Sequence, residues 1–147
     1  MKSVEIDSER SLETAARLRL VMLRLARALR RQASATLSPS QVSALASVDE
    51  FGPLRISALA ALESVGAPVA TRVVASLEDL GLLKRTDDPE DKRASLVELS
   101  EPGQRMLAAL WNERTLGLSS RLDRLTAAER SRVELALPAM EKLARDS

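Results

Sequence analysis

The sequence predicts a mainly α-helical protein with one small two-stranded β-wing, and three observations carry that expectation. Six stretches place apolar residues at helical spacing, while only the region around residues 82–100 alternates with a period of two. The chain has 147 residues and is 45% hydrophobic, which is enough material for a core. No run approaches the roughly 20 apolar residues that a membrane span needs.

The first helix is expected over Ser8 to Ala35, after a polar start of about eight residues. Leu18, Val21, Met22, Leu25 and Leu29 make one stripe, and Leu12, Ala16, Leu20 and Leu23 broaden it to a second side. A helix that is apolar on two sides needs two partners. Leu37-Ser38-Pro39-Ser40 then punctuates the chain, with Ser38 as N-cap and Pro39 at the first position of a second helix running to about Glu50. Val42, Leu45, Ala46 and Phe51 give its buried edge, and Gly52-Pro53 ends it.

A short third helix is expected over about Ile56 to Glu63, with Ile56, Leu59 and Ala60 on one face. Ser64-Val65-Gly66-Ala67 is a tight link to a fourth helix. Pro68 suits the first position of that helix, because its missing N–H is unsatisfied there in any residue, and Gly81 suits the left-handed conformation that ends one. Ala67 is a poor N-cap and forgoes on the order of 1 kcal/mol. Ala70, Val73, Val74, Leu77 and Leu80 form the inward stripe. Val69, Thr71, Arg72, Ala75 and Ser76 form the outward face, where short side chains let a helix approach base-pair edges and Arg72 is the one long donor. Two short helices joined by a Gly-containing turn of this length read as a helix-turn-helix.

Leu82 to Thr86 and Ser95 to Ser100 then read as two strands around the charged loop Asp87-Asp88-Pro89-Glu90-Asp91-Lys92-Arg93. A hairpin of this length directly after such a helix makes a wing. Ser100 caps a fifth helix from about Glu101 to Leu122, with Leu107, Leu110, Trp111, Leu118 and Leu122 near one face. Thr126-Ala-Ala-Glu129 is a capping box that opens the last helix, whose stripe is Val133, Ala136, Leu137, Met140, Leu143 and Ala144. Pro138 should kink it, since proline removes one backbone bond.

Composition narrows the function. Without Cys there is no disulfide, no thiolate nucleophile and no cysteine-based redox sensing; without His the usual transition-metal ligand and neutral-pH proton carrier is missing. No Ser/His/Asp set, metal-ligand cluster or phosphate-cradling glycine loop is present, so neither an enzyme nor a cofactor is expected. The start Met-Lys-Ser-Val-Glu-Ile-Asp lacks the apolar segment of a signal peptide, and the expected location is cytoplasmic, off the membrane. Net charge is only +1. Six arginines and no acid lie between Thr14 and Val48, whereas Arg55 to Ser100 holds six basic residues against eight acidic ones. The second count weighs against nucleic acid unless the basic side chains face the duplex and the acids face away.

Order and residues together resemble the MarR family of winged helix-turn-helix transcription regulators, over nearly the whole chain. The wing is the most specific part: Arg85 followed after five residues by Asp91-Lys92-Arg93, and Asp-Pro-Glu-Asp-Lys-Arg leading into Val-Glu-Leu-Ser-Glu-Pro-Gly. Ala67-Pro68-Val69-Ala70-Thr71-Arg72-Val73-Val74 resembles the start of the family's recognition helix, with Val69 standing where a polar residue is usual. The resemblance implies a winged helix-turn-helix lobe over 36–100 and a helical dimerisation lobe formed by 1–35 and 101–147. It implies a homodimeric repressor that binds a pseudo-palindromic double-stranded operator. Arg55, Pro68, Thr71, Arg72, Ser76, Arg85 and Arg93 would meet DNA, and Asp91 would position Arg93. Many members also bind small anionic aromatic ligands in a cleft between lobes. Here there is no Tyr or His to orient a phenolate, and Trp111 is the one large aromatic on the relevant helices. The competing expectation is a winged-helix module for protein–protein contact that leaves DNA alone.

Overall fold

The structure, a computed structural model, describes residues 2–32 and 36–145, with side chains for 8–31 and 36–145. The chain divides into two compact units, Ser34–Asn112 on one hand and Met1–Ala33 with Glu113–Ser147 on the other.

The first unit holds α2 (Pro39–Phe51), α3 (Ile56–Leu62), α4 (Ala67–Asp79), β1 (Leu83–Asp87), β2 (Ser95–Leu99) and the first half of α5 (Glu101–Leu122). Ser38 caps α2 as expected, and the cap is a full capping box. Its Oγ accepts from the Gln41 N–H at 3.2 Å while Gln41 Oε1 accepts from the Ser38 N–H at 2.8 Å. Leu45, Leu59, Val74, Leu77 and Val97 are fully enclosed, so α2, α3, α4 and the hairpin share one core. Phe51 stays 52% exposed, because it is the last residue of α2 and the chain turns away at Gly52-Pro53.

Helix α4 begins one residue before the sequence expectation. Gly66 is its N-cap without a side-chain bond, Ala67 opens the helix and Pro68 is second. Its end is a Schellman motif: Gly81 (φ 71°) sends its N–H to Glu78 O at 2.8 Å, and Leu82 N–H reaches Leu77 O at 2.8 Å. That reversal explains why Leu80 is 54% exposed although it extends the apolar stripe. The helix stops at Asp79, and Leu82 turns into the core in its place.

The hairpin is antiparallel, with Leu83 opposite Leu99 and Asp87 opposite Ser95. Leu54, in the α2–α3 link, adds a two-way bridge to the wing: its N–H donates to Val97 O at 3.0 Å and its carbonyl accepts from Val97 N–H at 2.7 Å. Ser100 then joins three segments. Its Oγ donates to Gly81 O at 2.5 Å and accepts from Gly103 N–H at 3.0 Å, starting α5 against the end of α4. Gly103 has to be glycine here, since a Cβ would collide with the Leu82 carbonyl oxygen.

The second unit comprises α1 (Lys2–Gln32), the rest of α5 and α6 (Ala127–Arg145). Helix α1 starts six residues before the expected Ser8. The opening segment lacks an apolar stripe, but it also lacks Gly and Pro, and its Lys2 and Glu5 are good helix formers. The expected continuation over 33–35 lies outside the described residues. Thr126 and Glu129 form the expected capping box, with Glu129 Oε2 accepting from the Thr126 N–H at 2.9 Å and Thr126 Oγ1 accepting from the Glu129 N–H at 3.3 Å. The Thr126 N–H, and then the Thr126 hydroxyl donating to the same oxygen at 2.8 Å, hold the Glu129 carboxyl below its ordinary value. Pro138 sits inside α6, and the helix runs on through it. None of the described side chains of this unit is buried. Among the described residues no single helix is long and apolar enough to cross a membrane.

Candidate nucleic-acid interface

Helices α3 and α4 meet at 110°, within the range of a helix-turn-helix. The turn residue that takes the left-handed conformation is Ser64 (φ 53°) rather than Gly66. It is stabilised by N–H bonds from Ser64 to Ala61 O at 3.2 Å and from Val65 to Ala60 O at 3.0 Å.

On α4, Pro68, Val69, Thr71, Arg72 and Ala75 are exposed while Ala70, Val74 and Leu77 are buried. The outward face is therefore the one the spacing predicts. Thr71 Oγ1 donates to the Ala67 carbonyl at 2.8 Å, which keeps its methyl and one oxygen lone pair available to a partner. Ser76 is half-buried and already engaged, donating to Val73 O at 2.7 Å and accepting from Gln41 Nε2 at 3.1 Å. Gln41 thus caps α2 with one end of its amide and ties α4 to α2 with the other. Sequence reasoning did not single it out, although the Ser38-x-x-Gln41 capping pattern was readable. Ser38, Ser40, Gln41, Val69, Arg72 and Ser76 border an open groove along this face.

The arginines divide into two groups. Arg55, at the N-cap of α3, grips Asp88 Oδ2 through Nε at 2.6 Å and Nη2 at 2.5 Å. Asp88 is 5% exposed, and its Oδ1 accepts from the Glu90 N–H at 2.9 Å. That backbone bond, then the Arg55 guanidinium, holds the Asp88 carboxyl below its ordinary value, and Asp88 in turn raises Arg55. Arg85 on β1 forks onto Glu78 of α4, Nε to Oε1 at 2.7 Å and Nη2 to Oε2 at 3.2 Å, and is raised by it. Lys84 pairs with Glu98 at 2.9 Å and Arg105 with Glu101 at 2.5 Å. Among the described residues, Arg72, Lys92 and Arg93 have no carboxylate partner.

Asp91 and Arg93 are not a strand-borne pair. Both lie in the tip loop between β1 and β2, where Asp91 Oδ1 accepts from the Arg93 backbone N–H at 3.0 Å. The carboxylate therefore braces the loop backbone that carries Arg93 and leaves the guanidinium free. The unit 34–112 as a whole holds seven basic residues against eleven acidic ones. Four of the seven are consumed in ion pairs, and the remaining three all lie on the outward face of α4 or at the wing tip.

A helix-turn-helix followed by a hairpin of this kind defines a winged helix-turn-helix protein, the class to which many transcription regulators belong. Residues 37–95 match the MarR family model. An HTH-type transcriptional regulator of Mycobacterium bovis is 38% identical, over 97% of this chain and 99% of its own length. A putative transcriptional regulator from Pseudomonas aeruginosa superposes with a TM-score of 0.79 at 31% identity, covering 92% of this chain and 96% of that one. A MarR family protein from Bacillus stearothermophilus shares the fold at a TM-score of 0.77 and 23% identity, over 93% of this chain and 97% of that one. The chain belongs to the MarR family of HTH-type transcription regulators.

Proposed function

We propose that this regulator is a homodimeric repressor that binds a pseudo-palindromic duplex operator and occludes a promoter. In this reading α4 enters the major groove with Thr71 and Arg72, and the wing tip lays Lys92 and Arg93 along the adjacent minor groove. The observation that carries it is the distribution of free cations. In a unit whose acids outnumber its bases, the basic side chains left without partners are confined to the two elements that would touch DNA. The apolar faces of α1 and α6, exposed at Leu12, Leu20, Val21, Leu135 and Leu143, support the dimer. A cytoplasmic location goes with the same reading.

The test is operator selection from random duplexes, followed by affinity at several salt concentrations. Three free cations in each winged unit, doubled by a two-fold axis, give a slope of log K against log salt of about −5, and the half-sites should lie about 34 Å apart. Arg72→Ala should cost about 1–3 kcal/mol per half-site if the guanidinium meets a base, and relax preference at one position. The excess of acids in this unit favours the competing reading, an interface with another protein. Failure to enrich any dyad-symmetric sequence, with a salt-insensitive apolar association instead, would establish that alternative.

A further inference from the structure

The proposed DNA-facing surface would ordinarily be taken to include every arginine near it, and Arg55 is among them. Its geometry says otherwise. The guanidinium leaves the N-cap of α3 and closes on Asp88, thirty-three positions away at the point where β1 ends and the tip loop begins. Asp88 is the one buried charged residue among the described side chains, and three separate bonds fix it: two from Arg55 and one from the Glu90 N–H. The next residue but two, Asp91, braces the Arg93 backbone in the same loop. On the neighbouring side Leu54 is zipped to Val97 of β2. The link before α3 thus holds the wing twice, by backbone at β2 and by Arg55 at the root of the tip. A second fork, Arg85 to Glu78, holds β1 to the recognition helix.

We propose that Arg55 and Asp88 form a positioning pair that sets where the wing tip carries Lys92 and Arg93 relative to α4, and that Arg55 itself makes no phosphate contact. The proposal deepens the DNA-binding reading and rests on it. It follows from what each partner does. A buried carboxylate with three donors is locked, and a guanidinium that spends its Nε and one Nη on that carboxylate is turned away from a phosphate. The tip loop has no apolar anchor of its own: from Pro89 to Arg93 every described side chain is exposed. Without the pair, the arm bearing Arg93 keeps its charge but loses its aim.

Charge and position make opposite predictions for Asp88. Asp88→Asn removes a negative charge beside a polyanion, so electrostatics alone tightens operator binding. Loss of positioning weakens it, by about five- to tenfold. The experiment measures operator affinity across salt for wild type, Arg55→Ala, Asp88→Asn, Arg93→Ala and the Arg55→Ala/Arg93→Ala double variant, and in parallel the amide exchange of residues 88–94 in the free proteins. With the pair acting as a clamp, Arg55→Ala weakens binding and flattens the salt slope by the share that Arg93 contributes, so that adding Arg93→Ala flattens it no further. Asp88→Asn weakens it too, and Arg93→Ala costs less than about twofold once Arg55 is gone. Exchange in the tip loop quickens in both Arg55→Ala and Asp88→Asn.

The proposal is overturned by any of three results. The slope changes of Arg55→Ala and Arg93→Ala add in the double variant, about 0.9 each per protomer, making Arg55 a phosphate contact of its own. Arg93→Ala costs the same with and without Arg55, which removes the coupling. Tip-loop exchange is unchanged in Arg55→Ala, which removes the clamp whether or not DNA is bound. If wild type binds no duplex, the DNA-binding reading fails on that arm and the positioning claim with it, while the exchange arm still reports whether Arg55 orders the loop.

Discussion

The two units of this chain solve the same problem with opposite means. The winged unit encloses Leu45, Leu59, Val74, Leu77 and Val97 completely and pairs most of its basic side chains within itself. The helical unit buries none of its described side chains, and leaves Leu12 at 74% and Leu135 at 78% exposure. Their charges differ in the same direction. Residues 34–112 carry a net −4, and residues 1–33 with 113–147 carry +5 from fifteen basic and ten acidic residues. A domain that closes its own core can stand alone, whereas long helices with open leucine faces need more apolar surface than one chain supplies. On the proposed reading, the first unit is the one that meets DNA and the second is the one that a second copy of the chain completes.

The sharpest way to break that comparison is to put a charge in the open face. Leu135→Glu should abolish dimerisation, with a loss of about 3 kcal/mol or more because a two-fold axis counts the side chain twice. Sedimentation over a range of concentrations reads it directly, and an unchanged dimer would show that this face of α6 is not the one that pairs. A change of similar size in the other unit should have a different signature. Leu77→Ala, in the closed core, should lower the urea-unfolding stability by about 2–5 kcal/mol and weaken operator binding, yet leave the folded protein dimeric at low denaturant.

A smaller effect sharpens the electrostatic side of the contrast. Two helical units of like charge repel when they pair, so dimer affinity should rise several-fold between about 50 and 500 mM salt as screening grows. Operator affinity should fall over the same range, and parallel trends would contradict the division of labour. The smallest effect lies in the turn between α3 and α4. Ser64→Gly relieves a left-handed residue that carries a Cβ and should raise stability by about 0.5–1 kcal/mol, offset in part by the greater freedom of glycine in the unfolded chain. Thermal unfolding measures it. A loss of stability would mean that the Ser64 side chain contributes more than its backbone conformation costs.

Much of the fold was legible because it rests on local patterns. The apolar spacing of Ala70, Val73, Val74 and Leu77 specifies which side of α4 faces inward, and Pro68 and Gly81 bracket the helix to within a residue. Ser38, Ser100 and Thr126 announce helix starts through the bonds their hydroxyls make within three residues. Arg72 and Arg93 were legible as exposed cations for the same reason, since each follows from its place on an element or loop. The failures were also local in origin. Leu80 continued the stripe but the Schellman reversal removed it, and Phe51 continued the buried edge of α2 but the turn at Gly52-Pro53 leaves it exposed.

By itself, then, the sequence determined the order and type of the elements, the inward faces of α2, α3 and α4, the absence of cysteine and histidine chemistry, and the family. Only the tertiary structure decided which basic side chains are available. Arg55 and Asp88 are thirty-three positions apart, and Arg85 and Glu78 lie on different elements, so no periodicity relates them. An ion pair depends on where two backbones deliver their side chains across the fold, to within about an ångström, and a charge on its own carries no record of its partner.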